Sequence, residues 1–186
     1  FGVMKILNVA HGAFYAWGAY AAAYTIGLAS DNDWPDWIGF VLIFGSAILV
    51  GLVLGAIIER VILRKMYHEE EVLIVLATFG IFLILEDIIL LVFGVNPYFA
   101  YQPMALLGSV KMGGIIRDVY SLTLFGLAIL VALGCWYGLN KTKWGKLLSV
   151  VIYDREISLA MGINVQMVYL VTFVLGATLG ALGGAY

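Results

Sequence analysis

KTKWGKLLSVVIYDREISLAMGIN, Lys141 to Asn164, is a polar, basic island between two long apolar runs, Val119 to Leu139 and Met167 to Tyr186. Each flanking run has the roughly 20 apolar residues that an α-helix needs to cross a bilayer. The island is too charged to share that environment. So greasy a chain has little reason to keep such a loop unless something on the water side docks on it. Three further runs of spanning length lie upstream, Val9 to Ala29, Ile38 to Ile58 and Val72 to Gly94. The 186 residues are 63% hydrophobic and 12% charged, with mean hydropathy +1.03. A soluble domain is about half apolar and a quarter charged, so this chain has too little polar surface to cover a globule. The expectation is an all-α, polytopic integral membrane protein embedded in the lipid bilayer. It has about five transmembrane helices in a single domain over residues 1–186.

The loops set an orientation. If the five runs alternate across the membrane, Lys5, Arg60, Arg64, Lys65, Lys141, Lys143, Lys146 and Arg155 fall on one side. Of the ten basic residues only Lys111 and Arg117 fall on the other. Basic residues favour the cytoplasmic side. Residues 59–71 and 140–166 are then cytoplasmic, and Asp31 to Trp37 and Val95 to Asp118 face outward. Trp34, Trp37, Tyr98, Phe99 and Tyr101 mark the outer boundary, and Trp136 and Trp144 the inner one, where rings sit half dry and half wet.

Several functions are excluded by what the chain lacks. A net charge of -2 gives no case for nucleic acid. A single cysteine, Cys135, permits no intramolecular disulfide. There is no HExxH, G-x-S-x-G or GxxxxGK[ST] motif and no metal-ligand cluster, so neither catalysis nor a cofactor is expected, and any ATP hydrolysis belongs to another subunit. No cleavable signal pattern precedes the first run. The chain starts without methionine and stops in an apolar run, which reads as a fragment of a longer protein.

Polar residues inside the runs mark candidate positions. The first run opens with Asn8, His11 and Gly12. Unpaired polar groups in hydrocarbon cost several kcal/mol. These side chains therefore fit either a bent helix start facing a polar solute, or an interfacial histidine satisfied by a neighbouring carbonyl. In the third run, Thr78 and Gly80 interrupt the Leu/Ile/Val pattern, as a pore lining or as packing. Glu86 and Asp87 follow, about 11 Å below Gly94 at 1.5 Å per residue. Intramembrane acids usually face the bundle interior. Translocation lining, helix packing, locally satisfied or protonated acids, and proton coupling all remain open for this pair. Small-residue ridges at Gly51/Gly55, Gly134/Gly138 and Gly176/Gly180/Gly184 fit close helix packing.

In the basic island, Leu148, Ile152 and Leu159 can line one face of a short amphipathic helix over 145–161, with Lys146, Asp154, Arg155 and Glu156 polar. Gly162 is suited to a left-handed position ending that helix, and Asn164 to an N-cap for the next. The segment fits a docking element or a helix lying on the membrane surface.

Three blocks carry a family resemblance: FGVMKILNVAHGAFYAWGAY (1–20), IERVILR (58–64) with the following ATFGIFLILEDIILLVFG, and Trp144 to Gly183 with DREISLAMGINVQMVYLVTFVLGATLGALGG. The chain resembles the permease subunits of branched-chain amino acid ABC transporters. Glu86 and Asp87 depart from the pattern, where amide or small residues are as frequent as acids. The resemblance implies alternating access in a prokaryotic cytoplasmic membrane. It also implies a second permease subunit, two ATP-binding cassette subunits and a periplasmic or extracellular substrate-binding protein. On it, Asp154, Arg155, Glu156, Ala160, Gly162 and Asn164 form the ATPase-coupling loop, and this chain is a central piece of its protein. Urea and short-amide permeases share much of the pattern. An ATP-independent channel or a proton-coupled carrier is the alternative outside the family.

Overall fold

The computed structural model describes residues 8–95, 98, 102–112 and 115–186. In chain order the elements begin with α1 (His11–Asp31), α2 (Ile38–Ile58), a π-helical turn (Glu59–Leu63) and α3 (Arg64–Met66). After α4 (Glu71–Phe93) and the short α5 (Gln102–Leu107) comes a two-stranded antiparallel ribbon, β1 (Ser109–Met112) and β2 (Ile115–Asp118), with Val110 opposite Arg117. Then follow α6 (Val119–Lys141), α7 (Lys143–Tyr153), α8 (Arg155–Ala160) and α9 (Val165–Ala185). All five apolar runs are helical. The basic Lys5 and the aromatic Phe99 and Tyr101 lie outside the described residues.

Among the described residues, four stretches are long and apolar enough to cross a membrane: Ile38–Met66, Glu71–Phe93, Val119–Lys141 and Val165–Ala185. α1 is comparable in length at 21 residues, but Ala, Gly and Tyr dilute its apolarity. It lodges inside the bundle against α9, α2 and α4.

The core is built on α9, which packs on α2 and α1. Small residues let the backbones close up. A Cβ on Gly51 would land on Thr178, one on Gly18 on the Ala181 carbonyl, and one on Gly184 on the Tyr15 carbonyl. Ala177 and Ala181 are fully buried between these helices. α4 leans on α1 through Ile74, Thr78, Ile81, Leu85 and Ile89, spaced three and four apart as one helical face requires. The Trp17 indole N–H donates to the Leu85 carbonyl at 3.1 Å and ties the two helices.

α6 stands apart, with Tyr120 its only buried residue. Tyr120 stacks on Tyr186 at 4.6 Å at one end. At the other, Gly145 of α7 sits so close to the Gly138 and Leu139 carbonyls that a Cβ would strike both. Gly134 and Gly138 differ from the other ridges, because a Cβ on either meets nothing within 4 Å.

Candidate functional site

The first cluster is the start of α1. The Asn8 side-chain carbonyl accepts from the Ala10 N–H at 3.0 Å, so Asn8 closes the turn that begins the helix. Thr78 is fully buried. Its hydroxyl donates to the Val75 carbonyl at 2.9 Å and accepts from the Val9 N–H at 3.3 Å, pinning the start of α1 to α4. His11 is exposed. It lies edge-on to Phe14 at 6.0 Å and to Phe173 at 6.2 Å. A Cβ on Gly176 would come within 3.0 Å of its Nε2, and one on Gly12 within 3.2 Å of the Phe82 ring. Asn8, His11, Gly12 and Thr78 thus cluster where the start of α1 packs against α4 and α9. Gly80 does not join them, and a Cβ there would meet nothing within 4 Å.

Glu86 and Asp87 lie off the packed face of α4 in this chain. Both are exposed on α4. At about 100° per residue, they point roughly 100° and 200° away from buried Leu85. Neither makes an ion pair among the described residues.

The basic island also departs from expectation, since two helices replace the single one over 145–161. Asp154 breaks the run with extended backbone, φ -148° and ψ 104°. Its carboxylate accepts from the Ile157 N–H at 2.9 Å, and the Ser158 hydroxyl donates to its carbonyl at 2.7 Å. A short acidic side chain that captures a nearby N–H competes with helix propagation and becomes a cap instead. α7 buries Leu148 and Val151 against Val165 and Val168 of α9. α8 projects, and its C-terminus is a Schellman turn. Ile163 N–H donates to the Ser158 carbonyl and Gly162 N–H to the Leu159 carbonyl, both at 3.0 Å, with Gly162 at φ 76°. Asn164 caps α9 by accepting from the Met167 N–H at 3.0 Å.

This leaves a knob with an apolar surface, capped at both ends. Tyr153 is 94% exposed and Met161 71%, with Ile157 and Leu159 more than half exposed. Glu156, Ala160, Gly162 and Asn164 are exposed around them, and Asp154 is half-buried. Arg155 opens α8.

Glu59 is a residue that sequence reasoning misses. It is 1% exposed in the π-helical turn, and its Oε1 has no hydrogen-bond partner among the described residues. Tyr67 and Tyr169 pack nearby with ring centroids 4.7 Å apart. Burial pushes the Tyr67 phenol up, with Glu59 and Tyr169 adding to the shift. A cavity of about 310 Å³ adjoins this cluster, lined by Arg64, Tyr67, His68, Leu159, Gln166 and Tyr169 among others. The polar cluster therefore reaches α8. The available signal is the Glu59-Arg60 pair at the end of an apolar run, which looks the same whether the acid is buried or wet.

Comparison with known proteins bears on this geometry. Residues 1–186 match the family described as branched-chain amino acid transport system / permease component. The chain is 24% identical over 189 residues to the high-affinity branched-chain amino acid transport system permease protein BraD of Pseudomonas aeruginosa, covering 98% of this chain and 61% of that protein. It is 22% identical over 188 residues to LivH of Salmonella typhimurium and 24% over 190 residues to LivH of Escherichia coli, each covering 99% of this chain and 61% of the relative. The chain thus spans 61% of the length of these relatives. No solved structure matches.

Proposed function

Because this chain belongs to the branched-chain amino acid transport system permease family, we propose that it works as one permease subunit of an ATP-driven importer. Residues 1–186 act as a single transmembrane domain in a prokaryotic cytoplasmic membrane. They line part of the path for branched-chain or similar aliphatic amino acids. A second permease subunit completes the path, separate ATP-binding cassette subunits hydrolyse ATP, and a substrate-binding protein delivers solute from outside.

The observation that carries the reading is the α8 knob, with Tyr153, Ile157, Leu159 and Met161 exposed on a turn locked at both ends. A helix floating on a membrane gains from basic residues, whereas here the acids Asp154 and Glu156 flank Arg155. An apolar knob suits a groove in another protein. Its motion has a direct route to the polar cluster at the start of α1. α8 joins α9 through Gly162 to Asn164, and α9 holds Gly176 against His11. From Asn164 to Gly176 is about 18 Å of continuous helix at 1.5 Å per residue. A pull on α8 would then tilt α9 and change access to that cluster, which is alternating access.

The test is co-reconstitution of the full-length permeases with their ATPase and binding-protein partners in liposomes. ATP-dependent leucine uptake is expected. Uptake of urea in preference to leucine would support the short-amide alternative, and uptake without ATP would refute the importer reading.

A further inference from the structure

We propose that the groove between α6 and α9 is a binding site for one anionic phospholipid, with an acyl chain in the groove and the headgroup at the α6–α7 corner. The groove holds about 480 Å³ and is walled by Leu130, Gly134 and Gly138 on one side and Val171, Leu175 and Leu179 on the other. Its hydroxyls are already engaged. Thr172 donates to the Val168 carbonyl at 2.8 Å, and Thr142 donates to the Gly138 carbonyl and accepts from the Gly145 N–H. The walls thus offer a ligand hydrocarbon contact.

The length of the groove suits an acyl chain. From Leu130 to Leu139 the groove runs about 13 Å along α6, close to one leaflet of a hydrocarbon core about 30 Å thick.

Charge selects the headgroup. Thr142 and Trp144 line the groove where α6 turns into α7, and their chain neighbours Lys141, Lys143 and Lys146 are exposed. None of the three lysines is ion-paired among the described residues. Between Asp118 and Asp154 the sequence has no acid at all. Basic pockets beside membrane helices hold anionic headgroups, and a tryptophan prefers the same depth.

The test uses the full-length transporter in nanodiscs carrying either phosphatidylglycerol or phosphatidylcholine with a photoreactive acyl chain. Crosslinks are mapped by mass spectrometry. Phosphatidylglycerol is expected to label 130–142 and 168–179 more than phosphatidylcholine does. The triple change Lys141→Gln, Lys143→Gln and Lys146→Gln should lower that labelling roughly tenfold or more. Gly134→Phe should reduce labelling by both lipids. Equal labelling by both lipids in the unmodified protein, or a preference that survives the lysine changes, would overturn the proposal. Absence of labelling would also overturn it and indicate that protein fills the groove. The readout is independent of transport, so its failure leaves the permease reading untouched.

Discussion

Gly162→Val separates backbone strain from contact loss at the α8 knob. A Cβ on Gly162 meets nothing within 4 Å, so the substitution has room. Its φ of 76° is the obstacle. A left-handed conformation costs an L-residue about 1–2 kcal/mol, and more for a β-branched one. If the turn opens instead, the two hydrogen bonds from Ile163 and Gly162 are lost, at about 0.5–1.5 kcal/mol each. Either route costs about 2 kcal/mol. A six-residue helix has little stability of its own, so the docking-competent fraction should fall about 30-fold, and apparent affinity for a partner with it. We predict that Gly162→Val permease still inserts but retains the ATPase subunits poorly and loses substrate-stimulated ATP hydrolysis in liposomes. Gly162→Asn, which tolerates the left-handed region, should stay near the unmodified protein. Undiminished pull-down and hydrolysis with Gly162→Val would refute the docking role of α8.

Three further outcomes are expected. His11→Leu should insert normally and impair uptake, by about 5- to 150-fold if a donor worth about 1–3 kcal/mol is lost from a solute contact; normal uptake would mean that the ring serves only the helix start. Gly51→Val should lower the thermal unfolding temperature, because its side chain meets Thr178 backbone and overpacking costs about 1–3 kcal/mol or more, whereas Gly134→Ala, in open space, should be neutral or slightly stabilising. In a Cys135→Ser background, cysteines at 65 and 143 should resist an impermeant thiol reagent on intact cells while one at 33 reacts, and the reverse pattern would overturn the orientation.

The helices are legible in the sequence because the bilayer imposes their length, and runs of Leu, Ile and Val have few other uses. The turn at Gly162 and the cap at Asn164 are legible because each depends on one residue's local chemistry. The break at Asp154 is not, since Leu148, Ile152 and Leu159 tile a single helix equally well; only the spacing from Asp154 to Ser158 hints at a new cap. Counting spans treats a loop as empty and so misses the ribbon at 109–118, although Gly113-Gly114 separates its two strand sequences. Burial of Glu59 and exposure of Glu86 and Asp87 depend on which neighbours pack against each face, which periodicity alone does not state.

The weak apolarity of α1 and the glycine ridge of α9 are one feature divided between two helices. A helix diluted with Ala and Gly gains less from lipid contact than its neighbours do. α1 gains close packing instead, with Gly18 on Ala181, Tyr15 on Gly184 and His11 on Gly176. Each glycine inside a helix costs about 0.5–1 kcal/mol in chain entropy, so the ridge persists only where near approach returns more than that. The same approach sets Asn8, His11 and Gly12 beside Thr78, where α1 meets α4 and α9. Polar residues that would burden a lipid-facing helix are tolerable at that position, so the packing that holds α1 in the bundle is also what allows its start to be polar.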